Sequence, residues 1–273
     1  MVSMRTAAIK STQAGMPVLL LLAGAIAAWP QTPPPVVNAS GVTNAAGASG
    51  QGVAPGSLVS IFGSNLASSM AAAGTVPLST TLSGVSVTFN NSPAPVQSVS
   101  GGQINVQVPW EVAPSTAQVV VTRDDGVTST PVGVPVAASA PAIYSIGGQA
   151  IAINSDGSLA APAGAIPGIA THPAKIGDPN GLTILATGLG AVSAPVADGA
   201  NSSDMTRNTL TAPAVMIGGV AAQLTFSGLS PQFVGLNQIN VVIPAGTPTG
   251  NAVPLQLQVG TVNSNIASIA VSQ

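Results

Sequence analysis

Cysteine is absent from the 273 residues, so no disulfide can form and any domain must stand on packing and strand pairing alone. Charge is nearly absent too, at 4% of residues, where a soluble domain usually carries about a quarter. Five basic against seven acidic residues leave no basic face for nucleic acid or anionic lipid. A single histidine without cysteine falls short of a zinc ligand set, and no cofactor is expected. Aromatics make up 3%, which thins the stacking surface that sugar-binding domains use. What remains is 46% hydrophobic residues with 31 Gly and 24 Pro, too apolar for disorder and too rich in Gly and Pro for long helices.

The N-terminal segment reads as an export signal. Arg5 and Lys10 precede an apolar run from Val18 to Trp29, and Ala25-Ile26-Ala27 supplies the small-x-small cleavage pattern. The run is too short to cross a bilayer, and no later stretch is long and apolar enough to do so. The expected organisation is a signal peptide at 1–27, a Pro/Gly-rich lead-in at 28–52, a first domain at 53–140 and a second at 141–273. The product is expected to be secreted or held in the cell envelope, without membrane insertion after cleavage.

One phrase occurs twice. Gln103-Ile104-Asn105-Val106-Gln107-Val108-Pro109 returns as Gln238-Ile239-Asn240-Val241-Val242-Ile243-Pro244, at an offset of 135. Val59-Ser60-Ile61-Phe62-Gly63 aligns with Ile184-Leu185-Ala186-Thr187-Gly188 at an offset of 125, and Asn90-Asn91 with Gly218-Gly219 at 128. Kept order with drifting offset describes a domain copied with loop insertions, too long a unit for a solenoid repeat. The apolar residues alternate with polar ones, as in Ile104, Val106 and Val108 or Val85, Val87 and Phe89, which is the period of half-buried strands. Val119–Thr122 turning at Asp124-Asp125-Gly126, Leu255–Val259 turning at Gly260-Thr261, and Ala150–Ile153 turning at Asn154-Ser155-Asp156-Gly157 read as hairpins. The fold class is therefore all-β, two tandem immunoglobulin-like β-sandwiches.

The run Val53-Ala54-Pro55-Gly56-Ser57-Leu58-Val59-Ser60-Ile61-Phe62-Gly63-Ser64-Asn65-Leu66, with Gly102–Glu111, Asn154–Leu159, Ala186–Gly190 and Gln238–Val241, resembles an uncharacterised Solibacter-type C-terminal domain family of secreted acidobacterial proteins. Gly56 to Leu66 is also similar to the opening strand of IPT/TIG immunoglobulin-like domains. The resemblance implies export and a β-rich fold and brings no activity with it.

Residues suited to chemistry are few. His172, between Thr171 and Pro173, would need a serine and a carboxylate such as Asp178 to form a triad, and no Gly-x-Ser-x-Gly elbow exists to hold one, so a surface histidine is expected. Asp124-Asp125-Gly126 and Asn154–Gly157 are read as turns ahead of calcium loops, and the polar stretch Ala197–Thr209 as a mobile loop. Trp110 and Tyr144 are the candidate ligand contacts. Trp110 follows the repeated phrase where the second copy has Ala245, so the fold itself does not demand it. It is expected to pack at a sandwich end in preference to standing exposed. The leading functional reading is a non-catalytic exported module for cell-surface or extracellular protein interaction or structure. The alternatives are an extracellular carbohydrate-binding module binding a surface glycan, and, remotely, a secreted hydrolase. With so few charges guarding strand edges, edge-strand self-association is a further expectation.

Overall fold

The computed structural model describes residues 32–47 and 52–273, so the expected signal segment and Trp29 lie outside the described residues. Every regular element among them is a β-strand. The first sandwich pairs Val36–Asn44, Leu58–Ser64, Gln103–Gln107, Val96–Val99 and Ala71–Ala72 in one sheet. Its facing sheet runs Val132–Val136, Ser115–Thr122, Val85–Phe89, Thr81–Leu82. Inward residues of both sheets, among them Ile61, Phe89, Ile104 and Val121, fill one core. The lead-in expected at 28–52 is partly a strand: Val36–Asn44 pairs antiparallel with Leu58–Ser64. Val37 and Val42 point into the core, with a bulge between them that restores the alternation on either side.

The second sandwich repeats the plan. Leu182–Thr187, Asn237–Val242 and Gln223–Leu229 run side by side in one sheet, and Ala267–Ser272, Gly250–Val259 and Ala214–Ile217 side by side in the other. A separate core, with Ile184, Ile239 and Leu255 fully buried, lies between them. The hairpin turning at Asn154–Gly157 belongs here, since Ala152–Ile153 pairs with Leu182–Thr187.

Cross-strand pairing fixes the equivalence residue by residue. Asn105 opposes Ser60 in the first copy, and Asn240 opposes Thr183 in the second. The offset in this strand is therefore 123 and not the 125 read from sequence, because a two-residue slip leaves an alternating pattern unchanged. Phe89 opposes Ser92 and Ile217 opposes Val220, which keeps the 128 offset; the turn residues Asn90, Asn91, Gly218 and Gly219 all take positive φ. Bulges recur between Val96 and Ser98 and between Leu224 and Phe226. Even a side-chain device is copied: Ser129 Oγ accepts from Val121 N at 3.0 Å, and Ser264 Oγ from Leu257 N at 2.9 Å.

Candidate functional site

The repeated phrase makes two faces. Ile104, Val106, Ile239 and Val241 are fully buried, as the core requires. Alternation then turns Gln103, Asn105, Gln238 and Asn240 to the outside of the sheet. There the same network forms twice. Asn105 Oδ1 accepts from Ser60 Oγ at 2.9 Å and from Gln103 Nε2 at 2.8 Å. Asn240 Oδ1 accepts from Thr183 Oγ1 at 3.2 Å and from Gln238 Nε2 at 3.1 Å. With Oδ1 doubly engaged, each asparagine keeps its Nδ2 donors, and each glutamine its Oε1, free of protein partners among the described residues.

An aromatic ring stands beside each network. Phe62 opposes Gln103 and is 39% exposed. Phe226 opposes Asn240, and the tip of its ring reaches Gly228, where a Cβ would come within 2.7 Å of Cζ. A hollow of about 440 Å³ adjoins the first network, floored by Ala72, Ser98 and Ser100. One of about 300 Å³ adjoins the second, between Phe226, Pro231 and Thr206. Neither is lined by a charged side chain. Sequence reasoning found these strands but took their outward amides for simple alternation; the identity of Gln-x-Asn in both copies was the available signal.

Trp110 and Tyr144 sit elsewhere, where the two sandwiches meet. The Trp110 indole packs against Gly56, where a Cβ would collide with the ring. Its backbone N donates to Asp198 Oδ1 of the second sandwich at 2.9 Å, and its Nε1 is buried without a partner. Tyr144 packs with Ala46 and Ala142, its hydroxyl likewise buried and unpartnered, and burial pushes its ionisation upward. Around them Leu58 N donates to Thr187 Oγ1 (3.1 Å), Gly199 N to Gln107 Oε1 (2.7 Å) and Asn44 Nδ2 to Ala140 O (2.9 Å). The stretch expected to be mobile, Ala197–Thr209, is thus docked on the first sandwich through Asp198 and Gly199. It is also folded on itself by Arg207, which grips Asp204 with both guanidinium nitrogens.

The titratable groups are engaged in local structure. His172 Nε2 lies 2.8 Å from Asp156 Oδ2 and Nδ1 2.8 Å from the Pro173 carbonyl. Two acceptors on one ring favour the doubly protonated imidazolium and raise its pKa, the Pro173 carbonyl most and Asp156 next. A ring so held has no free lone pair with which to take a proton from a nucleophile. Ser158 Oγ donates to Asp156 at 2.7 Å and not to the ring. The Ser158 hydroxyl and amide, with His172, hold the Asp156 carboxyl well below the usual carboxylate range. Arg123 donates to Asp125 across the hairpin turn and to the Pro33 carbonyl at 2.7 Å. Among the described residues no three of His, Cys, Asp and Glu come together as a metal set. No helix there is long and apolar enough to cross a membrane.

Residues 48–134 match the model of the IPT/TIG domain. No curated protein matches the sequence. Among solved structures, the chain is similar to the Bacteroides ovatus mixed-linkage glucan utilization-locus protein SGBP-B in complex with a mixed-linkage heptasaccharide. That match has a TM-score of 0.33 and 13% identity, over 81% of this chain and 44% of that one. A structure solved with a xylogluco-oligosaccharide matches at a TM-score of 0.27 and 14% identity, over 88% of this chain and 41% of that one. Domains 5–6 of the S-layer protein SbsC match at 0.29 and 13%, over 87% and 98%. The chain spans less than half the length of the first two. Likenesses at such scores carry no argument about function.

Proposed function

We propose that this chain is a non-catalytic extracellular module that binds a neutral partner at or near the cell surface, exported by its N-terminal segment and similar in kind to the Solibacter-type domains. One observation supports it above the others: in the outward Ser/Thr–Gln–Asn network the same two bonds to the asparagine Oδ1 are built twice, although the core beneath needs only the alternate Ile and Val. The charged groups support the non-catalytic part, since Arg123, Arg207, His172 and Asp156 are each engaged by protein partners.

The test is retention of the purified chain on isolated cell envelopes and extracellular matrix, compared with a chain carrying Gln103→Leu and Gln238→Leu. Retention by the native chain, lost in the double variant at an unchanged melting temperature, is expected. Equal retention of both chains would overturn the reading. Hydrolysis of generic esters by the native chain, abolished in His172→Ala, would replace it with the hydrolase.

A further inference from the structure

A third hollow, of about 290 Å³, is lined by Thr75, Val76 and Gln97 of the first sandwich and by Gln232 and Phe233 of the second. Its walls continue those of its neighbours along the chain. Ala72 lines the first hollow and Ala73 the third, while Pro231 lines the second and Gln232 the third. Val76 and Phe233 are 47% and 52% exposed, so about half of each large apolar side chain faces out. We infer that the three hollows form one groove that takes a single linear, neutral polysaccharide, with a network at each end and Phe233 at the middle. The inference rests on the binding reading above and names its ligand class.

Four observations favour that occupant. No Asp, Glu, Lys or Arg lines any of the three hollows, so an ionic ligand would find no counter-charge. The free Asn Nδ2 and Gln Oε1 place a donor beside an acceptor, which is what adjacent sugar hydroxyls can satisfy together. Phe226 lines the second hollow opposite Asn240, and Phe233 lines the third and is exposed, apolar surfaces suited to the C–H face of a pyranose ring. The floor of the first hollow is already paired backbone: Ala72 opposes Ser98, and Ser98 opposes Asn105. An extended peptide would find only the two-residue edge Ala71–Ala72 to pair with there, so side-chain amides and hydroxyls must carry most of the recognition.

Two hollows engaged by one chain behave as linked sites, so affinity should climb with ligand length once both are spanned. The experiment is calorimetric titration of the full chain with neutral glycans, namely linear β-glucan, xylan and mannan. Each is tested as the polymer and as a ladder of oligosaccharides, with uncharged peptides of matching length as the comparison arm. At least one glycan series should bind, its long members on the order of a hundredfold tighter than fragments that cover one hollow. Phe233→Ala should remove the length advantage while leaving fragment binding in place, and Gln103→Leu or Gln238→Leu should weaken the long ligand alone or together. Glycan binding with no dependence on length would overturn the single groove and leave two separate sites. Envelope retention without any glycan binding would overturn the polysaccharide and leave the binding module standing. Tighter binding of the peptides would assign the groove to protein.

Discussion

At Gly56 a single hydrogen in place of a side chain decides how the first sandwich ends. The residue takes φ +74, and the indole of Trp110 occupies the space a Cβ would need. Gly56→Ala therefore meets two penalties, about 1–2 kcal/mol for the left-handed backbone and a steric one that displaces the ring. The variant should melt lower and show Trp110 emission shifted to the red; an unchanged spectrum and melt would mean the indole is not seated there. Asp198, on the far side of the same tryptophan, works against the fold at neutral pH. Burial raises its pKa, and Glu111 beside it raises it further, against the lowering bond from Trp110 N. The folded state thus holds this proton more tightly than the unfolded chain. Its contribution is most favourable below the unfolded value of about 3.9 and declines as pH rises through the raised folded one. Asp198→Asn keeps an acceptor for Trp110 N and removes the repulsion, so it should melt higher than the native chain near neutrality and lose that advantage in acid. His172 changes in the same direction with pH, but here the fold favours the charged form. Its raised pKa gives stability that is complete below the unfolded value of about 6.5 and fades as pH climbs through the folded one. With the ring 45% exposed the effect is small, and the melting gap between native chain and His172→Gln should close in alkali. A gap of constant size would show that the imidazolium plays no part.

At the scale of strands, the sheet ends argue against the self-association that scarce charge suggests. Scarce charge suggested open edges, but Ala71–Ala72, Thr81–Leu82, Ser145–Ile146, Thr171–His172 and Val220–Ala221 are two residues long. The longer ends are spoiled in other ways. Val36–Asn44 and Gln223–Leu229 are bulged, and Val132–Val136 carries Pro135 and is met by Val53. Light scattering should find a monomer at high concentration, and a concentration-dependent dimer abolished by a proline in Val36–Asn44 would restore the edge as an interface. Strand identity was legible because period two is written into Ile104-Asn105-Val106 and its copy. The same period hid the two-residue slip at Leu58–Ser64, which cross-strand partners alone resolve. The networks were half legible: alternation placed Gln103 and Asn105 outside, but their bonds to Ser60 depend on a strand 43 to 45 residues away. The joining hollow was not legible, since it needs Gln97 and Phe233 brought together from the two sandwiches.

For the molecule as a whole, the places where the two copies differ are informative. Within the repeated phrase Gln107 stands against Val242, and just beyond it Trp110 stands against Ala245. Both first-copy residues bond the second sandwich: Gln107 accepts from Gly199 N and also donates to Gly56 O at 3.2 Å, while Trp110 N reaches Asp198. In the other direction Thr187 accepts from Leu58 N and donates to the Gly235 carbonyl at 2.7 Å, and Gly235 leaves no room for a side chain beside Leu58. Buried backbone groups at the end of each sandwich are thus satisfied by the other, and parting them would leave Leu58 N and Gly199 N unpaired. Two cores of similar size joined in this way should unfold together. Calorimetry should therefore show one transition whose van't Hoff and calorimetric enthalpies agree. Thr187→Val leaves Leu58 N and Gly235 O unsatisfied at about 1–3 kcal/mol each, so it should lower the transition and begin to split it. Two resolved transitions in the native chain would mean that the sandwiches are hinged, and a groove running from one network to the other would then lack the rigid floor a long ligand needs.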